Sequence, residues 1–587
     1  MGSLGRDTSI STTPKRLIIC CDGTWQSSVS NIKNVPSNVT RLARAFARVG
    51  RDADGRIWQQ IVHYDAGIGT GQLSDKEKDR QGGFGIGFVE NVIEAYTFIV
   101  LNYAPGDQIF CFGFSRGAYT ARAVAGLVND VGVISPRDLQ DFPDLYKLYQ
   151  ENSDSHGFRK SDAYREWVHG RLHEDTDQMN CAQYGKHCHT DAPESSREVQ
   201  VVGVFDTVGS LGVPDLAWTP FHLTFLDQWL GIPSAGFHNV SLSPYIRHAF
   251  HALALDEHRA PFSPTLWHFP RDGDLTTKKP KKPLDEIHKD WERVRSDPKS
   301  TPQQLSAQWA ELIDCQMYDK LKGTDSELLQ VWFPGFHINI GGGDDDPLHD
   351  RKCDFEQIAL ITFAWMCEQI APYVQLDSNL LKLATNSVRD RYELIHAPLQ
   401  LTPQTREEGL LKKASDLLNR AGAGQKPVSP EVQYGWADGP IVDSFAGTMK
   451  LAGSKPRTPG RYSHSGPDGA KLGKTNEMIH PSVQYRMQRR PEYRPEPLKG
   501  FTRQQTDHGF QWKQGEIVVP EYRIKSSDVF SRYIVDQDSL KGESQASKFV
   551  REIDQAIGQN FLARLVCANF KILSYTALAL AKSASAV

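Results

Sequence analysis

The chain has 587 residues and a formal net charge of −4, with 39% hydrophobic and 24% charged residues. This composition is typical of a soluble globular protein with a large core, and the slightly acidic balance excludes a general nucleic-acid binder. Nine scattered cysteines without a C-x-x-C pair argue against a zinc ribbon or a thioredoxin-like site and fit a reducing compartment.

Residues 1–13 are predicted to form a flexible N-terminus. The first segment, MGSLGRDTSISTTPKR, has no apolar core and does not match a secretory signal. It also departs from the myristoylation pattern, because Arg6 stands where serine or threonine is required. No run of about 18 uncharged apolar residues is present. The chain is therefore expected to be intracellular and cytoplasmic, with peripheral contact to a membrane left open.

The next part of the chain alternates between strand and helix patterns. Short apolar runs cover residues 16–25, 59–67 and 107–114, and helical patterns cover residues 37–50, 87–103 and 116–132. Ser37 or Asn38 can cap the first helix, and Gly50 can end it. This alternation predicts an α/β fold with a mostly parallel sheet and helices on both faces.

One α/β domain is predicted over residues 14–375, with insertions at about 134–198 and 212–325. Between the insertions, VQVVGVFD is a strand that ends at Asp206. The run SPYIRHAFHALALDEHRAPF, within the second insertion, is interpreted as loop and helix. The strand ELLQVWF and an apolar helix at 353–371 follow. Residues 376–587 are predicted to be a loop-rich C-terminal extension with a terminal helix at about 559–582.

The segment FCFGFSRGAY places Ser115 between Gly113 and Gly117 in the pattern G-x-S-x-G. An apolar run precedes the serine and a helical pattern follows it. This context predicts a nucleophile elbow, in which bulk at either glycine would collide with neighbouring backbone. Ser115 would then lie at the carboxyl edge of the sheet and at the positive end of the next helix. An ordinary strand-to-helix connection is the alternative.

A nucleophilic serine needs a base, and the base needs an orienting acid. In α/β hydrolases the chain order is serine, acid, histidine. Asp206 ends the next clear strand and is the predicted acid, with a helix-capping aspartate as the alternative. His337 follows the strand ELLQVWF and is the predicted base. Competing histidines are His248, His251 and His258.

Two backbone N–H groups are expected to form an oxyanion hole. One belongs to Arg116, and the other to Gly23 or Thr24 in the loop after the first strand. Loss of one such donor costs about 3–4 kcal/mol in the transition state, or roughly 10²–10³ in rate. Asp22 is expected to hydrogen-bond neighbouring amides rather than to act as a second catalytic acid.

Three glycine-rich or acidic segments could suggest other ligands. GIGTG and GGFGIG lack the strand and the acidic strand end of a dinucleotide site, so they are interpreted as mobile loops. GGGDDD, with His349 and Asp350 nearby, could bind calcium, but a solvated loop is the expected structure. Neither a metal nor an organic cofactor is predicted.

Several segments together resemble the α/β-hydrolase family of bacterial type VI secretion phospholipase effectors and its uncharacterised fungal relatives. These segments are RLIICCDGTWQ, GFSRGAYTARAVAGLV, VGVFDTVGSLG, RHAFHALALDEHRAPFSPTLW and VWFPGFHINIGGG. The resemblance spans about residues 14–370 and leaves out the extension. It implies a Ser-Asp-His triad of Ser115, Asp206 and His337, and hydrolysis of carboxylic esters, with phospholipids as substrates in the bacterial effectors. One departure is Asn339, where the family usually has aspartate.

The predicted function is that of a serine hydrolase that cleaves a lipidic carboxylic ester through an acyl-enzyme. The aromatic residues Trp218, Phe221, Phe225 and Trp229 could form a lid or an acyl pocket, or could simply pack in the core. Two alternatives use the same fold. One is an acyltransferase or a specialised ester or lactone hydrolase, and the other is a non-catalytic interaction protein. The acyl chain, the head group and the oligomeric state are not predicted.

Overall fold

The structure is a computed structural model of the whole chain. It describes residues 13–23, 36–67, 88–151, 157–169, 189, 191–208, 242–270, 279–322, 325–343, 356–377, 436–439, 441, 443, 445, 453–464, 473–524, 528, 531 and 548–551. All helices, strands and contacts named below lie within these ranges.

A mostly parallel sheet forms the centre of the described part of the chain. Its strands are β1 (Lys15–Cys21), β2 (Val49–Arg51), β3 (Ile57–Asp65), β4 (Gln108–Phe114), β5 (Val199–Phe205), β6 (Ile246–Ala254), β7 (Glu327–Phe333) and β8 (Glu477–Ile479). They are ordered β2-β3-β1-β4-β5-β6-β7-β8. Only the β2–β3 pair in this sheet is antiparallel. The predicted α/β fold class is confirmed.

Helices cover both faces of this sheet. They are α1 (Asn38–Ala45), α2 (Phe88–Asn102), α3 (Ser115–Val131), α4 (Phe142–Glu151), α5 (Asp162–His169), α6 (Leu284–Ser296), α7 (Pro302–Leu321), α8 (His337–Gly341), α9 (Glu356–Ile370) and α10 (Pro481–Arg489). Leu17 and Ile19 of β1 pack in the apolar cluster that contains α2 and α3. Ile18 and Cys20 pack in the cluster that contains α1 and α9. The twofold alternation of a strand thus places β1 between two apolar layers.

The first helix begins where the sequence predicts and ends earlier. Ser37 caps α1, as one of the two predicted caps. The predicted end at Gly50 is wrong, because α1 ends at Ala45 and Gly50 lies in β2. The carboxylate of Asp52 closes the turn between β2 and β3 by accepting the N–H of Arg56 at 2.8 Å. The segment around Gly50 therefore pairs with β3 and forms a strand of the sheet instead of ending the helix.

The run at Ile246–Ala254 is a strand, so its interpretation as loop and helix is wrong. β6 pairs in parallel with β5 on one side and with β7 on the other. Ala249 packs in one apolar cluster and Phe250 in the other, so both faces of the strand are buried. Periodicity cannot distinguish such a strand from a buried helix. A strand of the central sheet therefore lies inside the region 212–325 that was assigned to an insertion.

The C-terminal extension contributes to the same core. β8 extends the central sheet beside β7. Three further strands, β9 (Thr502–Thr506), β10 (Gly509–Gln514) and β11 (Ile517–Pro520), form a small antiparallel sheet. Trp512 and Val519 of this sheet pack with Trp332 of β7 in one apolar cluster. The predicted terminal helix at 559–582 lies outside the described residues.

Two observations bear on membranes and redox chemistry. Among the helices of the described ranges, none combines the length and the apolar character that a membrane crossing requires.

The cysteines in these ranges are buried free thiols, namely Cys20, Cys21, Cys111, Cys315 and Cys367. Burial raises the pKa of Cys111 to about 12, so this thiol stays protonated and acts as a packing residue.

Candidate active site

Ser115 lies on a sharp turn between a strand and a helix. β4 ends at Phe114 and the 17-residue helix α3 begins at Ser115, with no residue between them. The φ angle of Ser115 is +58°, in the left-handed region that residues other than glycine rarely adopt. Backbone strain of this kind is concentrated at functional sites. The side chain stands at the N-terminus of α3, where the helix dipole favours negative charge.

The two predicted elbow glycines are required by their surroundings. A Cβ atom at Gly113 would lie 2.3 Å from the carbonyl oxygen of Gly117. A Cβ atom at Gly117 would lie 2.3 Å from the carbonyl oxygens of Cys21 and Asp22. These contacts are with backbone, which cannot move aside as a flexible side chain can. The close approach of β1, β4 and α3 therefore depends on glycine at both positions.

The structure brings Ser115, His337 and Asp206 into one chain of hydrogen bonds. His337 Nε2 lies 2.7 Å from Ser115 Oγ. His337 Nδ1 lies 2.6 Å from Asp206 Oδ2. The exposed fractions are 8% for Ser115, 5% for His337 and 0% for Asp206. Since a carboxylate only accepts, Nδ1 carries the imidazole proton and Nε2 is left to accept the serine hydroxyl.

Aromatic rings and a backbone contact fix the imidazole of His337. The ring of Phe114 stacks on it at a centroid distance of 4.8 Å, and the ring of Phe262 is T-shaped to it at a centroid distance of 4.9 Å. The backbone N–H of His337, at the first residue of α8, donates to Glu257 Oε2 at 3.2 Å. Glu257 is in turn paired with Arg259 at 2.8 Å. The imidazole orientation is thus set by several elements.

Asp206 is fixed by three donors besides the imidazole. Its φ angle is +41°, and its Oδ1 accepts the N–H of Ala254 at 2.9 Å. Arg457 grips both carboxylate oxygens, with Nη1 on Oδ1 and Nη2 on Oδ2 at 2.9 Å. Burial by itself would raise the pKa of Asp206, but Arg457 and His337 outweigh burial and lower it well below its usual range. Asp206 is therefore ionised.

Arg457 is the residue of this site that the sequence analysis missed. It lies in the C-terminal extension, in the segment SKPRTPG, which matches no catalytic motif. Arg457 is far from Asp206 along the chain, and the composition around it is typical of a loop. No pattern in the sequence therefore indicates that the two residues meet. An arginine that is only 2% exposed is recognisable only once the fold is known.

The three competing histidines lie elsewhere. His248 faces Glu327 and Tyr373, and His258 lies near Ser454 and Asp443.

His251 is buried behind Asp206 rather than beside the serine. Its Nε2 accepts the N–H of Thr207 at 3.1 Å, and its Nδ1 faces Gln330 Oε1 at 3.2 Å. Burial, assisted by the nearby Arg122, lowers the pKa of His251 to about 3. His251 is therefore a neutral ring that holds the residue after Asp206.

The loop after β1 lies against the elbow, where the sequence predicted a second oxyanion donor. β1 and β4 are neighbours in the sheet, so this loop reaches the start of α3. The N–H of Gly23 donates to Asp22 Oδ1 at 2.8 Å. One of the two N–H groups predicted as the second oxyanion donor therefore already has an acceptor. Thr24 lies outside the described residues. The backbone N–H of Arg116 belongs to the first turn of α3, where the predicted oxyanion hole needs it.

Asp22 organises this loop, as predicted, although hydroxyl groups supply most of its partners. Its carboxylate accepts from Ser37, Thr40 and Tyr64, each at 2.7 Å. Burial raises the pKa of Asp22, and these hydrogen bonds oppose the rise. The group ties the loop after β1 to α1 and β3.

Asn339 lies two residues beyond His337, in the same short helix. Its Oδ1 accepts the N–H of Phe336 at 3.0 Å, which holds the start of α8. An aspartate could accept the same N–H, so the departure from the family pattern preserves this support.

Several predictions concern residues outside the described ranges. They are Thr24, residues 68–71, 82–87 and 344–346, His349, Asp350, Trp218, Phe221, Phe225 and Trp229. The solvated acidic loop, the mobile glycine loops and the choice between a lid or acyl pocket and core packing stay predictions. Within the ranges that the structure describes, no three His, Cys, Asp or Glu side chains are grouped so as to hold a metal ion.

Comparisons with known proteins point to one family. The family model described as "T6SS, Phospholipase effector Tle1-like, catalytic domain" matches residues 15–369. An uncharacterized protein of Saccharomyces cerevisiae is 25% identical in an alignment of 273 residues, and the alignment covers 43% of this chain and 33% of the yeast protein. The chain thus matches about a third of the length of that relative.

Two solved structures are also similar. The structure of the Tle1 effector bound to the VgrG spike from the type 6 secretion system has 15% identity and a TM-score of 0.27, with 66% of this chain and 82% of that chain covered. An uncharacterized protein from Pseudomonas aeruginosa has 14% identity and a TM-score of 0.27, with 65% and 50% covered. At these TM-scores neither structure contributes to the argument.

Proposed function

The chain belongs to the family of T6SS Tle1-like phospholipase effector catalytic domains, and from this premise we propose that it is a serine hydrolase that cleaves carboxylic esters of lipids. The observation that carries the proposal is the chain of hydrogen bonds from Ser115 Oγ through the imidazole of His337 to Asp206. Its order along the sequence, serine then acid then histidine, is that of α/β hydrolases. The strained backbone of Ser115 supports the same conclusion.

The proposed reaction has two halves. In the first, Ser115 Oγ attacks the ester carbonyl while His337 Nε2 takes the hydroxyl proton, and the same nitrogen returns the proton to the leaving alcohol. The product is an acyl-enzyme on Ser115. In the second half, His337 Nε2 takes a proton from a water molecule as the water oxygen bonds to the acyl carbon. The same nitrogen then returns the proton to Ser115 Oγ as the bond between Ser115 and the acyl group breaks and the fatty acid leaves. Asp206 holds the Nδ1 proton throughout and stabilises the imidazolium.

The negative charge that develops on the carbonyl oxygen needs donors that are already in place. The proposed donors are the N–H of Arg116 at the start of α3 and the N–H of Thr24 or Gly23 in the loop after β1. Thr24 is favoured of the two, because Gly23 already donates to Asp22. The N-terminus of α3 adds its dipole to this site.

A lipid ester is proposed as the substrate because the family is described by its phospholipase effectors. Acyl transfer to an alcohol other than water would use the same acyl-enzyme and remains the alternative outcome. A non-catalytic role would be favoured by an imidazole turned away from the serine, whereas Nε2 faces Ser115 Oγ at 2.7 Å. A cytoplasmic location and peripheral membrane contact through residues 559–582 belong to the same proposal.

Labelling with a fluorophosphonate probe tests the nucleophile. Wild-type protein should be labelled, Ser115→Ala should not, and His337→Ala should be labelled much more slowly. Ser482→Ala, which changes a buried serine in α10, is the matched control and should be labelled like the wild type. Labelling that survives Ser115→Ala would assign the reactive group to another residue.

The substrate class needs a second assay. Vesicles of phosphatidylcholine or phosphatidylethanolamine, with different acyl chains at the two glycerol positions, should release one fatty acid whose identity reveals the position cleaved. Addition of a short alcohol then separates hydrolysis from acyl transfer, since a transferase would form the new ester in preference to free acid. Activity on soluble esters without any on these vesicles would contradict the lipid assignment.

A further inference from the structure

We propose that Arg457 is a positioning residue of the active site, by which the C-terminal extension keeps the acid of the triad charged and aligned. The inference rests on the proposed hydrolase function. It goes beyond the family match, which ends at residue 369 and so leaves Arg457 outside the matched domain.

The guanidinium of Arg457 binds three separate parts of the domain. It holds both oxygens of Asp206, with Nη2 on Oδ2 at 2.9 Å. Nη1 also donates to the carbonyl of Ala254 at 2.8 Å, and Nη2 donates to the carbonyl of Phe262 at 2.9 Å. Arg457 thus joins the end of β5, the end of β6 and the residue whose ring contacts His337. A planar, two-pronged donor suits this arrangement, which a lysine could satisfy only in part.

Arg457 and His337 share one oxygen atom. Asp206 Oδ2 accepts from Arg457 Nη2 at 2.9 Å and lies 2.6 Å from His337 Nδ1. Any movement of the guanidinium therefore changes the position of the carboxylate that aligns the imidazole. A misplacement of about 1 Å in such a site can cost roughly 10²-fold in rate.

The pair also decides the charge of the acid. Asp206 is fully buried, and a buried carboxyl without a cation tends to take up a proton. Arg457 prevents this by supplying a cation that is only 2% exposed. The titratable and charged groups around the pair are His337, His251, Glu257 with its partner Arg259, Tyr462, and Arg122 beside His251.

The segment that carries Arg457 is attached to the loop beside the site. The N–H of Ala260 donates to the carbonyl of Gly453 at 3.0 Å, and the N–H of Lys455 donates to the carbonyl of His258 at 2.7 Å. This loop also carries Glu257, which binds the backbone of His337. The extension therefore supports the acid and the base through one continuous set of contacts.

The decisive experiment compares Arg457→Met with wild type in the full-length chain. The readout is kcat and KM on p-nitrophenyl butyrate as a function of pH, per site labelled by fluorophosphonate. We expect kcat to fall roughly 10²-fold with KM nearly unchanged. We expect the acid limb of the kcat/KM profile to move up by about one pH unit or more, because loss of a cation makes both neighbouring groups easier to protonate.

Arg486→Met is the matched control. Arg486 is a buried arginine of the same extension that donates to the carbonyls of Ala437 and Gly439, away from the triad. It should lower the Tm while leaving kcat and the pH profile unchanged. If Arg457→Met has a profile that superimposes on the wild-type profile, the proposal is overturned and Arg457 is a structural tie only.

A second variant covers the case in which Arg457→Met does not fold. Arg457→Lys keeps the positive charge and loses the two-pronged geometry. It should keep the wild-type pH profile with a reduced kcat, and a kcat equal to wild type would contradict the positioning role.

An unfolding measurement separates this inference from the proposed function. The difference in Tm between wild type and Arg457→Met should be largest near neutral pH and should narrow as the pH falls, because protonation removes the unpaired charge of Asp206. The difference in Tm between wild type and Arg486→Met should not narrow as the pH falls. If the wild-type protein is neither labelled nor active on esters, but the difference in Tm still narrows at low pH, the hydrolase function is refuted and the ion pair between Arg457 and Asp206 stands. If the difference in Tm between wild type and Arg457→Met does not change with pH, the ion pair is refuted.

Discussion

The two ends of the hydrogen-bonded chain at the candidate active site are held in different ways. The serine end is determined by local backbone, since Ser115 sits at φ +58° between glycines that leave no room for a Cβ atom. The acid end is held by distant parts of the chain, because Asp206 is bound by Ala254 of β6 and by Arg457 of the extension. A local motif can therefore be recognised without knowing the fold, whereas the support of the acid cannot.

The largest expected effect compares the two ends directly. Ser115→Ala should lower kcat by about 10⁶-fold without loss of stability, because the hydroxyl can be removed without leaving a buried charge. Asp206→Asn should lower kcat by about 10⁴-fold and should also cost about 3 kcal/mol or more of unfolding free energy. The physical reason for this cost is that Arg457 would lose its counter-charge. Probe-titrated kinetics and urea unfolding measure both quantities, and an Asp206→Asn variant as stable as wild type would contradict the comparison.

The next effect tests the local backbone at the serine end. Gly117→Ala should destabilise the protein by about 3 kcal/mol or more, because its Cβ atom would overlap backbone of the loop after β1. Gly126→Ala in the same helix is the control, since its Cβ atom would meet only the hydroxyl of Tyr149 at 3.7 Å. That variant should gain up to about 1 kcal/mol, as alanine is the better helix former. Thermal and urea unfolding measure the difference, and equal stability of the two variants would speak against the elbow geometry.

A pH-dependent effect tests the acid end. The pKa of His251 is lowered to about 3 in the folded state by burial, with Arg122 adding to the effect. The unfolded imidazole takes up a proton near pH 6.5 and the folded one does not. Stability should therefore fall as the pH is lowered from about 6.5 toward 3, at about 1.4 kcal/mol per pH unit. His251→Gln should remove this contribution from urea unfolding measured between pH 7 and pH 4.

His480 provides the control for that measurement. Burial also lowers the pKa of His480 to about 3. His480→Gln should flatten the pH dependence of stability to a similar extent while leaving hydrolysis unchanged. His251→Gln should in addition lower kcat, because His251 accepts the N–H of Thr207 beside Asp206. Equal kinetics for the two variants would show that His251 has no part in positioning the acid.

The smallest effect is expected at Asn339. Asn339→Asp restores the residue that the family usually has and keeps an oxygen that can accept the N–H of Phe336. Because Asn339 is buried, the new carboxylate should cost about 1–2 kcal/mol of unfolding free energy, with little change in kcat. A large gain in kcat would indicate that this position tunes the imidazole itself.

The sequence by itself determined the parts of the protein that obey local rules. Ser115 follows a strand directly and begins a helix, and Asp206 and His337 lie after strands. The sequence predicts these positions because elbows and strand ends have short patterns. The parallel sheet could be predicted because strands and helices differ in period. These features depend on neighbours within a few residues, so a single chain displays them.

Only the tertiary structure decided the remaining features. Ile246–Ala254 is a strand that is buried on both faces, and its apolar run has no period that distinguishes a strand from a helix. Pairing with β3 takes Gly50 out of its expected role as a helix end. Arg457 reaches Asp206 because the extension folds back onto the loop beside the site. Such contacts join residues that are far apart in sequence, and charge pairing or burial at that range leaves no local pattern.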